Sequence, residues 1–153
     1  MADCFISYSS VDEQLAKFVA QQLRAQGLDP FMASLSLQPG QDWSREIKRK
    51  LIDSPWVIFL ASRAASLSPF VQQEVGGAIF GSKKLVPVVW DMAPSELPGW
   101  AQHFQALDLR GATVAQIGSQ ILSIAKQIKA DKDKGVLIAG ALLVGLIWLA
   151  SRE

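Results

Sequence analysis

The chain has 153 residues, of which 50% are hydrophobic, and a formal net charge of +1 at pH 7. This length predicts one globular domain with at most a short appendage, and the small net charge argues against nucleic acid as a partner. Because Cys4 is the only cysteine and His103 the only histidine, an intrachain disulfide and metal sites built from cysteine or histidine clusters are excluded.

The first predicted elements are a strand and a helix. Residues 5–8 (Phe-Ile-Ser-Tyr) are typical of a short apolar strand. Ser10 followed three residues later by Glu13 matches a capping box, so we expect Ser10 to be the N-cap of a helix. The helix ends at Gly27. Residues 28–32 predict a second strand near a sheet edge, because the proline among them cannot donate a ladder hydrogen bond.

A loop, a helix and a buried strand follow. Residues 33–42 predict a loop with a turn at Pro39-Gly40. The next helix is expected over residues 43–53. Residues 56–61 are apolar with no polar face, which predicts a strand buried on both sides at the centre of a parallel sheet.

The second half of the domain repeats the alternation of helix and strand. Ser68 is a suitable N-cap and Pro69 suits the first helical position, so a helix is expected to start there. Residues 85–90 predict another strand and residues 106–109 a weak last one. Apolar residues then recur every three or four positions over residues 114–128, which predicts a long amphipathic helix.

This order of elements predicts the fold class. Strands and helices that alternate along the chain indicate a doubly wound α/β fold of flavodoxin-like type, with a mostly parallel five-stranded sheet. In such folds ligands bind beyond the carboxyl ends of the strands. The sequence has no G-x-G-x-x-G motif after the first strand and no P-loop, so ordinary dinucleotide binding and phosphoryl transfer are disfavoured.

The helix that starts at Ser68 carries the most suggestive pair of side chains. Phe70 and Glu74 are four residues apart and lie on one helical face. An aromatic ring beside a carboxylate can hold a nucleoside, although a surface glutamate on an amphipathic helix gives the same pattern. Gly76 and Gly77 follow. Each glycine destabilises a helix by roughly 1 kcal/mol relative to alanine. Their presence there is reasonable if another backbone or a ligand comes close.

The C-terminal segment is apolar on every side. Residues 135–150 carry no charge, and as a helix they span roughly 24 Å, against a hydrocarbon core of about 30 Å. Lys134 and Arg152 can snorkel from its ends to the interface. We therefore expect a transmembrane helix over residues 135–151. The alternative is a buried or oligomerising helix.

These boundaries divide the chain into a domain over residues 1–130, a short basic linker over residues 131–134 and the transmembrane helix. Lysines are more frequent before the apolar segment than arginine or lysine after it. By the positive-inside rule the domain is expected in the cytoplasm, held at the lipid bilayer by a single-pass anchor.

Several of these stretches together resemble a Toll/interleukin receptor (TIR) domain of the bacterial kind, over roughly residues 2–129. The matching stretches are Phe5-Ile6-Ser7-Tyr8-Ser9, the loop with Pro39-Gly40 and Trp43, the strand over residues 56–61, Ser68-Pro69-Phe70-x-x-x-Glu74, and Val86-Pro87-Val88. Their order and spacing are more specific than any one of them.

The resemblance implies a chemistry. Many bacterial TIR domains cleave NAD+ at the nicotinamide–ribose bond, some forming cyclic products, and act in defence against phage. Their catalytic glutamate corresponds to Glu74 and the aromatic residue four positions earlier to Phe70. NAD+ would be the substrate, with no further cofactor and no metal. TIR domains also assemble through the loop after the second strand, which here contains Ser36, Leu37, Pro39 and Gly40.

One carboxylate is sufficient for this cleavage, because nicotinamide leaves as a neutral ring and needs no general acid. Residues that could contact the substrate are Phe5, Ser7, Ser9, Ser10, Trp43 and Phe70. Each has a simpler alternative. The aromatic residues can be core anchors, and the serines can be helix caps.

Two functions from different classes stay open. The first is a membrane-anchored NAD+ glycohydrolase or cyclase that becomes active when its TIR domains assemble, with an upstream sensor protein as a possible further partner. The second is a non-enzymatic adaptor that recruits other TIR domains to the membrane, which would need the fold and the loop but not Glu74. A response-regulator receiver is disfavoured, because the third strand ends in Ala61-Ser62 without a phosphoacceptor aspartate.

Overall fold

The computed structural model describes residues 2–34, 45–67, 75–79 and 83–150, without the side chains of residues 78–79 and 136–150. The strands are β1 (Cys4–Tyr8), β2 (Pro30–Ser34), β3 (Trp56–Leu60), β4 (Lys84–Val89) and β5 (Leu107–Asp108). The helices are α1 (Glu13–Ala25), α2 (Arg45–Asp53), α3 (Arg63–Ser66), α4 (Gly76–Ile79) and α5 (Val114–Ala150), and Ser10–Asp12 and Pro94–Glu96 form 3-10 turns.

The five strands form one parallel sheet in the order β2-β1-β3-β4-β5. This is the flavodoxin-like order of a doubly wound fold, so the predicted fold class is confirmed. The central strands β1 and β3 are buried along their whole length, as expected of parallel strands covered by helices on both faces.

Alternating side chains of each strand divide the core into two layers. Cys4, Ile6 and Tyr8 of β1 lie in the layer covered by α1 and α5. Phe5 lies in the opposite layer, which includes Val75 from the chain just before α4. The strand period of two therefore decides which side chains can meet each helix.

The second strand starts later than predicted. The Leu28 amide donates to the Leu23 carbonyl, and the Asp29 amide donates to the Asp3 carboxylate at 2.7 Å. Both residues therefore belong to the connection that follows α1, and β2 begins at Pro30. The predicted edge position is confirmed, and proline is the first residue of this edge strand, where its missing N–H is tolerated.

The capping box predicted at Ser10 is wrong. Ser10 lies inside the 3-10 turn Ser10–Asp12, and Ser9 is its N-cap without a side-chain capping bond. Helix α1 begins at Glu13, and its N-cap residue Asp12 makes no capping bond either. Asp12 is instead buried at the end of the short turn that precedes α1.

Helix α5 is continuous from Val114 to Ala150, so residues 131–134, predicted as a linker, are helical. Asp131 accepts hydrogen bonds from Lys84 Nζ at 2.6 Å and from Trp56 Nε1 at 3.1 Å. Lys132 Nζ lies 3.2 Å from Asp3 Oδ2. The helix is thus fixed to the amino ends of the strands at residues that sequence analysis had assigned to a connector.

The predicted transmembrane helix is not supported: within the described residues, no helix has the length and apolar composition needed to cross a bilayer. The side chains of residues 136–150, on which that prediction depends, lie outside the described residues.

Candidate functional site

Buried polar side chains lie at the carboxyl end of β1 and in the segments that follow β1 and β3. Ser7 pairs with Ala33 of β2 and with Phe59 of β3. It is fully buried, at 0% exposure, and its hydroxyl has no hydrogen-bond partner among the described residues. An unsatisfied buried hydroxyl is unfavourable by about 1 to 3 kcal/mol, so Ser7 is a candidate to bind a ligand or a water molecule.

Asp12 is the second buried polar residue at this edge. Only 9% of its surface is exposed, and its Oδ2 atom has no partner within the described part of the chain. Burial raises the pKa of its carboxyl, a hydrogen bond with the Ser62 side chain opposes that rise, and the charge of Asp91 adds to it. This site therefore disfavours the charged form of Asp12.

Ser62 connects the two loops at this edge. Its hydroxyl oxygen caps α3 by accepting the Ala65 amide at 3.3 Å. Since the same hydroxyl has a single hydrogen, the bond with Asp12 uses it as a donor. Ser62 is 2% exposed, so this pair fixes the loop after β3 against the turn after β1.

The loops after β3 and β4 are joined by Arg63. Its backbone amide lies 3.3 Å from both carboxylate oxygens of Asp91, and its Nε donates to the Asp91 carbonyl at 3.2 Å. Its Nη2 lies 3.5 Å from Glu96 Oε1. These side chains are exposed, so the contacts order the rim of the site more than they stabilise the fold.

The predicted substrate-binding residues in β1 and in the turn after it have different environments. Phe5 is fully buried and its ring stacks on Phe31 with centroids 5.7 Å apart. The ring therefore fills the core, and a ligand could not stack on it without displacing Phe31. Ser9 is half-buried and Ser10 exposed, both at the 3-10 turn beside Asp12.

The remaining predicted site residues lie outside the described residues. They are Trp43, Phe70, Glu74 and the loop residues Ser36, Leu37, Pro39 and Gly40.

The chain directly after Glu74 is well anchored. Val75 is fully buried in the core layer that contains Phe59, Ala61 and Met92. Gly76 lies against the Trp100 indole: a Cβ at this position would be 3.3 Å from three atoms of the ring. The close neighbour expected from the glycine pair is therefore an aromatic ring, and it concerns Gly76 only.

Ser62 and Asp91 directly follow predicted strands, at the ends where a doubly wound fold binds ligands, so the sequence places them near the site without giving them individual roles. Neither Asp12 nor Trp100 stands out in the sequence as a site residue. For Asp12 the only local signal was its place between β1 and α1. Nothing near Trp100 in the chain indicates its contact with Gly76, which is more than twenty residues away.

A groove lies beside β4, away from this edge. Strand β5 pairs with β4 only at Val88 and Val89, so the first half of β4 has an open edge. The groove there has a volume of about 440 Å³. Its lining includes the apolar side chains of Trp56, Leu85, Val86, Phe104, Leu107 and Ile124, together with Lys84 and uncharged polar side chains.

Two further residue types bear on chemistry. Within the described residues, no three or more His, Cys, Asp or Glu side chains group in a way that could hold a metal ion. Cys4 is fully buried, and burial raises the pKa of its thiol to about 12, with smaller contributions from Asp3 and Asp29. The thiol therefore stays protonated and is a poor nucleophile.

A family model described as TIR domain matches residues 4–122. The chain belongs to the TIR domain family. No curated protein matches it. The match covers all five strands and the start of α5, and therefore the complete sheet edge described above.

Solved TIR domains have the same fold. The TIR domains of the activated Roq1 resistosome, which directly recognises the pathogen effector XopQ, have a TM-score of 0.66 and 17% identity, covering 84% of this chain and 99% of that one. The TIR domain of the Toll-related receptor TRR-2 from Hydra magnipapillata has a TM-score of 0.64 and 17% identity, with the same two coverages.

A third similar structure is the RPS4 and RRS1 TIR domain heterodimer, with a TM-score of 0.60 and 9% identity, covering 82% of this chain and 96% of that one. At these identities the likeness concerns the fold.

Proposed function

We propose that this TIR domain protein cleaves NAD+ at the nicotinamide–ribose bond as a glycohydrolase or cyclase, and that it acts in defence against phage. One observation carries the proposal. Gly76, two residues after Glu74 in the sequence, lies against the Trp100 indole, which packs on Phe59 near the carboxyl end of β3. The chain that follows Glu74 is therefore attached near the sheet edge where doubly wound folds bind ligands.

The reaction requires little from the protein beyond binding and electrostatics. The bond between the ribose carbon and the nicotinamide nitrogen breaks, and its electron pair leaves with the ring, which becomes neutral. Positive charge then develops on the ribose, where the Glu74 carboxylate would stabilise it. Water adds to the ribose carbon and releases a proton, giving ADP-ribose; an adenine nitrogen adding instead gives a cyclic product.

Residues at the described edge suit the polar parts of this substrate. The Ser7 hydroxyl and the Oδ2 atom of Asp12, which have no hydrogen-bond partner among the described residues, can bind hydroxyl groups of a ribose. Ser9 and Ser10 flank the same turn. NAD+ is the substrate in this proposal, and it invokes neither a cofactor nor a metal.

Self-association is the second part of the proposal. We infer that the loop with Leu37, Pro39 and Gly40 binds a second copy of the chain, and that the groove beside the open half of β4 receives it. The groove is largely apolar, and open strand edges favour association. The RPS4 and RRS1 TIR domains form a heterodimer. Association through the same surfaces without catalysis would make the protein an adaptor. Attachment to a membrane and a sensor partner stay predictions from sequence.

The test is NAD+ consumption by the full-length protein at several protein densities, with Glu74→Gln beside the wild type. The matched control is Glu46→Gln, which removes an exposed carboxylate from the first turn of α2. We expect the rate of NAD+ consumption to rise faster than protein concentration. The rate should fall by at least about a hundredfold in Glu74→Gln and stay at the wild-type level in Glu46→Gln. No consumption at any density by folded, self-associating protein would leave the adaptor.

A further inference from the structure

The open half of β4 contains one residue whose main chain faces away from β3. The Lys84 amide donates to the Pro55 carbonyl at 3.0 Å, just before β3 begins. The Val88 carbonyl accepts the Ala61 amide at 2.8 Å, just after β3 ends. In a parallel strand both polar main-chain groups of a residue point to the same side, and successive residues alternate between the two sides. Leu85 therefore points towards the groove.

Within the described chain, no neighbouring strand pairs with the main chain of Leu85. Strand β5 pairs with β4 only at Val88 and Val89, where the Leu109 amide donates to the Val89 carbonyl at 2.8 Å. Outside the strand ladders, none of the main-chain hydrogen bonds among the described residues involves Leu85, which is 4% exposed. Because buried main-chain N–H and C=O groups are nearly always paired, Leu85 offers one donor and one acceptor to a further chain.

Pro87 limits how far a further strand can extend along this edge. It is the next residue of β4 on the same side as Leu85, and proline has no N–H to donate. Within β4, the open edge therefore has a complete donor and acceptor pair only at Leu85. Prolines at sheet edges prevent continuous pairing with other chains, so this edge accepts a short extended segment and rejects a long strand.

The groove beside Leu85 suits a segment without charge. Lys84 lines the groove, but its ammonium lies 2.6 Å from the Asp131 carboxylate, so the two charges offset each other. The other lining residues are apolar or uncharged, among them Trp56 and Gln105. A charged side chain placed there would lose its hydration without gaining a partner.

We propose that a second copy of this chain adds an extended segment to the open edge of β4 and pairs with the main chain of Leu85. This inference rests on the self-association proposed above. The Leu85 N–H donates to a carbonyl of the segment, and an N–H of the segment donates to the Leu85 carbonyl, as in peptides that bind to a sheet edge. The chain has a segment of matching charge, because residues 35–41, which follow β2 in the sequence, carry none.

The test is hydrogen exchange of the full-length protein over a range of concentrations, with sedimentation velocity of the same samples to give the associated fraction. Mass spectrometry with residue-level fragmentation reads the amides of Leu85 and Val86. Val86 pairs with β3 and is the internal control. With about nine-tenths of the protein associated, exchange at Leu85 should be about tenfold slower than in dilute protein, because only the dissociated fraction exchanges. Exchange at Val86 should not depend on concentration.

Two substitutions separate the main chain of Leu85 from its side chain. Leu85→Pro removes the N–H that points towards the groove and spares the ladder with β3, whereas Leu85→Val keeps the N–H and shortens the side chain. We expect the Kd of self-association to be roughly threefold to tenfold higher in Leu85→Pro than in Leu85→Val, the effect of one main-chain hydrogen bond. If Leu85→Pro does not fold, the exchange rates of the wild type decide.

Three results would overturn the inference while leaving self-association through another surface. They are association without slower exchange at Leu85, equal slowing at Leu85 and Val86, and equal Kd values for the two folded variants. The absence of association at every concentration would instead refute the proposed self-association, and this inference with it.

Discussion

Asp12 is the residue at which local and tertiary demands differ most. In sequence it belongs to a polar helix start, where an aspartate would be solvated and favourable near the helix N-terminus. In the structure it is buried, the Ser62 side chain moderates the rise of its pKa, and its Oδ2 atom has no partner among the described residues. A buried carboxylate oxygen without a partner destabilises the folded state and is available for a ligand.

We expect Asp12→Asn to remove a pH dependence of stability. Because the folded pKa of Asp12 is raised above its ordinary value of 3.8, the folded state binds the proton more tightly than the unfolded state does. Wild-type stability should therefore fall as pH rises from about 4 through the raised pKa, and Asp12→Asn should lack this fall. Thermal unfolding between about pH 3.5 and 8 would measure it.

Asp29→Asn, at an exposed position, serves as the control and should keep the wild-type slope. If Asp12→Asn were less stable than wild type near neutral pH with the same dependence on pH, the Asp12 carboxylate would not destabilise the folded state.

Among the helices, α5 has the most informative attachments. Asp131 receives hydrogen bonds from Lys84 and Trp56, and the Lys84 ammonium also lies 5.2 Å above the Trp56 ring. The hydrogen bond from Lys84 is the largest cause of the lowered pKa of Asp131. Three side chains from three elements thus hold the helix at the amino ends of β3 and β4, at a point where the sequence suggested a linker.

Asp131→Asn should lower the stability of the domain slightly. The side chains of Lys84 and Asp131 are 57% and 35% exposed, so solvent screens the pair and its loss should amount to about 1 kcal/mol, or roughly 3 °C in Tm. Since the pKa of Asp131 is lowered, the contribution is present above its unfolded value and disappears as pH falls through the folded one.

Asp133→Asn is the matched control, two residues further along the same helix with an exposed side chain. Differential scanning calorimetry at neutral pH should separate the two variants. Identical Tm values for both would show that the Asp131 contacts do not contribute to stability.

At the scale of the whole molecule, the open half of β4 is the surface through which we propose that the domain associates. A single short pairing with β5 leaves the groove accessible beside α5. Ser123 lines this groove, whereas Ser119, one helical turn earlier, does not, and both are exposed. The two serines therefore offer a matched pair for testing the groove as an association surface.

We expect Ser123→Arg to abolish self-association, because a guanidinium would be buried in an apolar groove on binding, and Ser119→Arg to leave it intact. Sedimentation velocity over a range of concentrations would measure this, and unchanged Tm values would show that both variants are folded. Self-association of Ser123→Arg at wild-type strength would exclude the groove.

The sequence alone determined the fold class of this protein and showed which residues follow the carboxyl ends of its strands. The apolar run at residues 56–61 and the spacing of strands and helices are local patterns, and their period and length are sufficient to predict the elements. The sequence predicts a weak last strand, and β5 has only two residues. The sequence does not predict where α1 starts, because a 3-10 turn and a capping box share the same residue types at Ser10 and Glu13.

Only the tertiary structure decided which polar and glycine residues are constrained. Asp12 is buried because Ser62, fifty residues later in the chain, lies opposite it, and Gly76 is required because Trp100 packs there. Contacts of this kind join residues that are far apart in sequence and depend on how side chains fill the core. Local patterns encode backbone conformation, whereas the partner of each buried group is known only once the elements have packed.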